Sequence, residues 1–459
     1  MQTKTFHFIA IGGVGQSALA KILLQLGYRV SGSDIQDSKY TKLVKDLGAE
    51  VFIGHKKENI KDRPVVVISS AIKEDNPELI EAKRLGLEIL HRSDCLKLIS
   101  EKFPIFVGLA GTHGKTTTSG LLSFILDRMN ENPSFAIGGI IPKLNINANA
   151  SKDSKIFVAE LDESDGTIQK YHPNYFLVNN LEEDHLDYYK NGLCDILATF
   201  EKTVSNMQEN DKLFLNVDNM GCNIFKSQTD FKNIITYAID NVADYMVKNI
   251  QFEELDSSFE VYKKDTLLGK INLIVPGLHN ICNALAIVSI LDTMGYKFDE
   301  YAKFFEEFSG MGRRFQLVSD NKKTNIKIID DYAHHPSEIK STLNAIQKSK
   351  RRKVVIFQPH RYTRLKGLWN EFLSAFYNID KLYVLDVFSA GDEFDNEFNS
   401  KNFAHDIKQN NVDCEYIEGD IEQAGKTIAQ KLQNNDLVLT LGAGDITKIG
   451  GVIDDLLSK

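Results

Sequence analysis

Short apolar runs and amphipathic stretches take turns along the first hundred residues. Residues 6–11 are mostly apolar and read as a strand, and 17–26 set Leu19, Ile22, Leu23 and Leu26 on one helical face. Gly27 ends that helix, 29–33 begin the next strand, and 65–68 form a further apolar run leading to Ser69 and Ser70. Strands that alternate with helices imply a parallel sheet with helical crossovers.

The rhythm recurs twice. A second unit starts at the apolar run 105–110 and continues through strands at 156–159 and 175–178 to a helix at 195–206. From 232 to 275 the pattern changes to short strands with polar turns, and helices at 279–294 and 298–308 close the unit. The segment SGMGRRF, 309–315, is glycine-rich and charged and reads as a hinge. Beyond it, strands at 326–329, 353–357, 381–385 and 436–441 again alternate with helices. The expectation is an α/β protein of three units, 1–102, 103–313 and 314–459.

Composition narrows the class. The 459 residues carry a formal charge of −9 and are 42% hydrophobic, as in ordinary globular proteins. At roughly 100–200 residues per domain, that length suits several domains. An acidic balance argues against a nucleic-acid or anionic-membrane partner. Cys95, Cys194, Cys222, Cys282 and Cys414 lie far apart with no CxxC, which reads as buried thiols in a reducing compartment. Runs such as 284–291 are too short to span a bilayer. The stretch IAIGGVGQSALA has some look of a signal peptide, but its glycines and Lys21 fit a strand–turn–helix better. A cytoplasmic protein with no stable membrane association is expected; a homodimer is left open.

That stretch carries the first candidate chemistry. Gly13, Gly15 and Ala18 match G-x-G-x-x-A after a strand, and Asp34 follows about twenty residues on. Bare amides at a helix N-terminus suit a diphosphate, and the acid suits a ribose hydroxyl. NAD and a UDP-sugar both present these features, so the motif alone does not choose between them. The plain alternative is a tight turn that binds nothing.

The second is LAGTHGKTTTS, 109–119. Common phosphate loops have glycine five positions before Gly-Lys, and Leu109 stands there instead. The chemistry survives the shorter loop. Gly111 and Gly114 let amides turn inward, Lys115 offers a fixed charge to phosphates, and Thr116 a hydroxyl to Mg²⁺. A helix from Thr117 adds its dipole. Downstream, KIFVAELDESD leads into Glu160, and FLVNNLEEDHLD into Asn180, Asp184 and His185. Acidic runs are usually solvated turns; at strand ends near a phosphate loop they suit a hard cation.

Taken in order, AGTHGKTTT, VAELDESD, EEDHLDYY, GLHNICNALA, GRRFQ, DDYAHHPSEI and FQPHRYTR resemble the Mur ligases over essentially the whole chain. The likeness is to the branch that joins L-alanine to UDP-N-acetylmuramate in peptidoglycan precursor synthesis, because FQPHRYTR differs from the sister ligase that recycles murein tripeptide. It implies Rossmann-like N- and C-terminal domains around an ATPase domain, with ATP and Mg²⁺ as cofactors. Gly12, Gly13, Gly15, Ser33, Asp34 and Ser70 would then hold UDP rather than NAD. Gly111, Thr112, His113, Gly114, Lys115, Thr116 and Thr117 would hold ATP, with Thr116, Glu160 and His185 at the metal. His279, Asn280 and Asn283 would lie by the nucleotide, and Arg314 and Asp330 (or Asp331) would reach it from the hinge and third domain. Tyr332, His334, Arg361 and Arg364 would face the muramyl carboxylate and alanine. The plain reading of the two arginines is a solvated basic turn.

Departures from the family pattern are few. Gln16 and Ala18 replace residues that are often Met and Gly, and Asp392 stands where Glu is frequent. The place of a carbamylated lysine in several sister ligases is taken by Phe200, with Lys202 out of register. The chemistry implied is ATP-driven amide formation through an acyl phosphate, with His334 or His335 as candidate base. Three rivals are a Mur-like ligase for another acceptor, an NAD-dependent oxidoreductase, and a non-catalytic ATP-binding regulator. The oxidoreductase leaves Lys115, Glu160 and His185 without a task.

Overall fold

Three sheets organise the chain in the computed structural model, which describes residues 4–186, 188–253 and 256–458. The first is wholly parallel, in the order Glu50–Ile53, Arg29–Asp34, Thr5–Ile9, Val65–Ile68, Ile89–His91. Phe6, Phe8 and Ile9 on its middle strand are all buried, because helices cover both faces of such a sheet and no alternation survives. The helix Val14–Gln25 begins earlier than the apolar pattern suggests, immediately after the glycine turn, and lays Leu19, Ile22 and Leu23 into that core.

The second sheet has ten strands. Its middle runs Lys212–Asn216, Tyr175–Val178, Ile105–Ala110, Ile156–Glu160, Ser134–Ile141. Parallel register sets Ala110 opposite Val178 and Leu109 opposite Glu160. The glycine loop, Glu160 and the Asn179-Asn180 pair therefore emerge at one end of the sheet, the carboxyl end where α/β proteins bind ligands. Phe103 stacks on Phe157, and Gln25 bonds to Asn149, so one apolar core serves the first two sheets.

The third sheet runs Gln316–Asn321, Ile326–Asp331, Leu437–Leu441, Lys353–Phe357, Lys381–Val384, Cys414–Tyr416, with an antiparallel first strand. Phe357, Phe372, Phe376 and Phe403 pack ring against ring on one of its faces. Packing divides the chain into two compact units. One comprises Met1–Lys248, Glu260–Lys270 and Cys282–Phe305; the other comprises Asn249–Phe259, Ile271–Ile281 and Glu306–Lys459.

The expected helix at 298–308 is a short α-helix, Phe298–Tyr301, that tightens into a 3₁₀ segment, Ala302–Glu307. In the expected hinge, Gly310, Arg313 and Phe315 have positive φ, and Met311 pairs with Arg314. All five cysteines are free; Cys194, expected buried with the others, is exposed. Phe200 is fully buried, stacked on Phe176, and so belongs to the core. Among the described residues no helix is long and apolar enough to cross a membrane.

Candidate active site

Several helices begin without a side-chain cap, and two of them follow the candidate glycine loops. Gly13 precedes Val14–Gln25 and Gly114 precedes Lys115–Arg128. Ser38, Asn76, Asn219, Asn399 and Asp420 cap other helices through their side chains. Among the described residues no side chain caps the first turns after the two glycines, and amides so placed suit an anion.

At the first loop, the Gly12 N–H donates to Asp34 Oδ2 at 2.8 Å, which fixes the turn and leaves Asp34 half-buried. Ser33, expected at the UDP, turns its side chain into the strand end. It is fully buried, its hydroxyl donating to Glu78 Oε2 at 2.5 Å and lying 2.8 Å from His55 Nδ1. Ser33 builds the strand end behind the loop. Ser70 Oγ lies 3.1 Å from His91 Nε2.

The second loop is braced from the neighbouring strand. Thr112 N–H donates to the Asn180 carbonyl, and His113 N–H to Asn180 Oδ1 at 2.7 Å. Asn180, a metal candidate by sequence, is thus a brace for the loop. Gly111 (φ +125°) and Gly114 (φ +83°) cannot be replaced without strain, since a Cβ would also meet Asn179 or Asn180 within about 3 Å. Thr118 Oγ1 reaches Asn283 Oδ1 at 3.1 Å, which brings Asn283 to the loop. The helix starts at Lys115, two residues before the expected Thr117.

Thr116 Oγ1 lies 3.1 and 3.0 Å from the two oxygens of Glu160, which also accepts the Gly138 N–H. His185 (φ +52°) is partly exposed, with Nε2 3.8 Å from Asp184 Oδ2. Among the described residues no three His, Cys, Asp or Glu side chains gather as a metal site. Lys115 Nζ donates to Glu163 Oε1 at 2.7 Å. Burial pushes the Glu163 carboxyl above its ordinary range, with Lys115 pulling it back.

A cavity of about 330 Å³ joins the two loops: Gly15, Arg92, Lys115, Gly138, Glu160 and Asp162 line it. Arg92 pairs with Asp162 at 2.9 Å. Burial raises the Asp162 carboxyl, but bonds from Ser164 and the Arg92 charge outweigh it and leave it lowered. Arg92 and Glu163 carried no sequence signal beyond the runs in which they sit.

The third sheet gathers a second group. His334 Nδ1 lies 2.9 Å from the Tyr332 carbonyl, and its ring is 5.0 Å from that of Tyr332 and 5.8 Å from that of His360. Arg364 Nη1 lies 3.1 Å from His360 Nδ1. Glu338 accepts the backbone N–H groups of His334 and His335. The runs DDYAHHPSEI and FQPHRYTR therefore meet, and Glu338 and His360 are members the sequence reading passed over, although both stood inside those runs. His335 instead caps the helix Pro336–Ala345. Arg361, at φ +67°, is exposed at the start of Tyr362–Gly367, whose first turn Asp392 caps by accepting from Thr363. Arg314 lies over the Tyr332 ring and 3.8 Å from Glu338.

Asp330, expected to reach the nucleotide, lies near the end of the strand Ile326–Asp331. It is buried, with its oxygens taken by the Thr440 and Thr447 hydroxyls at 2.6 and 2.8 Å, and Arg313 stands 3.5 Å away. Asp331 accepts the N–H groups of Phe315 and Ala333, and burial pushes its carboxyl up to about 6. In the helix Leu278–Thr293, Asn280 bonds to the Pro276 carbonyl, and exposed His279 lies 3.5 Å from Ser341 Oγ.

Comparison with known proteins places this geometry. Residues 5–104 match the Mur ligase family, catalytic domain; 109–291 the Mur ligase middle domain; and 313–444 the Mur ligase, glutamate ligase domain. The chain is 39% identical over 459 residues to UDP-N-acetylmuramate–L-alanine ligase of Syntrophotalea carbinolica, covering 99% of this chain and 98% of that one. It resembles the crystal structure of UDP-N-acetylmuramate–alanine ligase from Thermotoga maritima, with TM-score 0.83, 28% identity and 98% of each chain covered. A murein peptide ligase from Psychrobacter arcticus shares the fold, with TM-score 0.67, 21% identity and 99% of each chain covered.

Proposed function

The chain belongs to the Mur ligase family, and from that membership we propose that it joins L-alanine to the carboxylate of UDP-N-acetylmuramate, driven by conversion of ATP to ADP and phosphate. The observation that carries this reading is the cavity shared by Gly15 and Lys115. It offers a diphosphate-binding turn at one place and a phosphate-transfer loop at another, as phosphorylation of a UDP-linked acid requires. Arg92 adds a cation between them. The reaction belongs to the cytoplasm, where ATP and UDP-sugars occur.

A carboxylate is a poor electrophile, so its oxygen first takes the γ-phosphoryl group of ATP, giving an acyl phosphate and ADP. The alanine amine attacks the carbonyl carbon, phosphate leaves, and an amide remains. Lys115 and the free amides of its helix stabilise the transferring phosphoryl. Glu160 and Thr116 form an oxygen donor set that fits Mg²⁺, which keeps water and phosphate oxygens among its ligands. Mg²⁺, when bound, neutralises phosphate charge during transfer.

His334 serves the amine. A carbonyl only accepts, so the bond to Tyr332 puts the ring proton on Nδ1 and leaves the Nε2 lone pair free. Burial lowers the pKa of His334, which keeps that lone pair unprotonated at neutral pH. Arg361 and Arg364 neutralise carboxylate charge.

Incubating the protein with UDP-N-acetylmuramate, ATP, Mg²⁺ and L-alanine tests the reading. The mass of the alanyl product should appear with one ADP per turnover, and omitting any substrate should stop it. Preferred ligation of D-glutamate or a tripeptide would assign another branch, and tight NADH binding without ligation would favour an oxidoreductase.

A further inference from the structure

Lys115 does not stand free in its loop. Its ammonium donates to the carbonyls of Gly111 at 2.6 Å and Thr112 at 3.3 Å, and to Glu163 Oε1 at 2.7 Å. An ammonium has three N–H donors, and the protein occupies all of them. Two of those acceptors are neutral carbonyls; the third is a carboxylate in a buried ion pair.

Glu163 has little freedom to follow the lysine elsewhere. It is 4% exposed, and its Oε2 is buried without a hydrogen-bond partner among the described residues. Its carbonyl is pinned from two sides, by the Gly166 N–H and by the hydroxyl of buried Tyr189. Tyr189 comes from the segment that carries His185, so the two acidic runs of the sequence are tied together at Glu163.

An incoming phosphate must displace some of these partners. Giving up the two carbonyls costs little, because phosphate oxygens replace them as acceptors. Giving up Glu163 would strand a buried carboxylate without its counter-charge, which is strongly unfavourable.

We propose that Glu163 is a positioning residue that keeps its ion pair with Lys115 through turnover, while the ammonium exchanges the Gly111 and Thr112 carbonyls for phosphate oxygens. One N–H direction is thereby fixed, and the other two are aimed at the transferring phosphoryl. The same carboxylate reduces the charge that Lys115 offers to bound nucleotide. The aim of the remaining N–H groups acts in the transition state, and it is this difference that raises kcat rather than affinity. The inference rests on the phosphoryl-transfer role given to Lys115 above.

Glu163→Gln and Glu163→Asp, made in the full chain, separate this role from a structural one. Expected for Glu163→Gln is a kcat at least tenfold lower, ADP affinity in calorimetry unchanged or up to about threefold tighter, and a melting temperature near that of the wild type. Glu163→Asp, which keeps the charge, should recover part of the lost kcat. A Glu163→Gln kcat within threefold of wild type would overturn the proposal. So would ADP affinity that falls in step with kcat, or a Glu163→Asp no better than Glu163→Gln. A wild-type chain that forms no alanyl product would instead remove the ligase reading, and the ADP affinities would still test the ion pair.

Discussion

Arg364 Nη1 lies 3.1 Å from His360 Nδ1, and a guanidinium can only donate. His360 must therefore accept at Nδ1 and carry its proton on Nε2. Burial first, then the charge of Arg364, pushes the imidazole down to about 4. The group assigned to the acceptor thus presents a cation, the N–H of His360 and the lone pair of His334.

Arg364→Lys should break that arrangement, because an ammonium lacks the planar fork that holds the imidazole and pairs with a carboxylate. The expected result is a KM for L-alanine or UDP-N-acetylmuramate raised about tenfold, roughly 1.4 kcal/mol, with ADP affinity unchanged. Steady-state kinetics and calorimetry read the two quantities separately. Equal losses in both would remove Arg364 from the acceptor side.

Asp331 makes a prediction about pH. Its carboxyl is raised to about 6 in the folded protein, against about 3.9 in an unfolded chain. Between those values the folded state binds the extra proton. The stability contributed is full below pH 4 and lost as pH rises through 6, on the order of 3 kcal/mol in all. Asp331→Asn should flatten the dependence of unfolding free energy on pH across that window. A slope identical to wild type in urea titrations would count against a protonated Asp331.

Glu160→Gln keeps a hydrogen-bonding oxygen for Gly138 but loses the charge. The Mg²⁺ concentration for half-maximal activity should rise about tenfold or more, while UDP-substrate binding stays near wild type. Chelation with EDTA should stop turnover in both proteins. An unchanged Mg²⁺ requirement in the variant would place the metal elsewhere.

The amino-acid pocket need only hold a methyl group. One methylene is worth about 1–3 kcal/mol, so glycine and L-serine should react measurably at higher concentration than L-alanine. D-alanine and acidic amino acids should fail. A panel with phosphate release as readout checks this, and D-alanine reacting as well as L-alanine would contradict the stereochemistry.

The sequence makes the strands flanking the candidate site legible because buried parallel strands are continuously apolar: 105–110, 175–178 and 353–357 are read directly. The glycine loops are equally plain, since their chemistry is local. The commitments of polar groups are not. Ser33 bonds to Glu78, 45 residues away, and Asp330 to Thr440, 110 residues away. Arg92 meets Asp162 across 70 residues, and Lys115 meets Glu163 across 48. No periodicity encodes such partners. A carboxylate at a strand end looks the same in sequence whether it points to a ligand or into its own sheet.

The central claim is that the substrate carboxylate takes a phosphoryl group at the Lys115 loop, and oxygen labelling tests it most directly. UDP-N-acetylmuramate carrying ¹⁸O in its carboxylate is turned over with ATP and L-alanine, and the phosphate released is analysed by mass. The account predicts one ¹⁸O in each phosphate, because the carboxylate oxygen that attacked the γ-phosphorus leaves with it, and predicts no such phosphate from Lys115→Ala. Unlabelled phosphate, or label found in AMP, would contradict it.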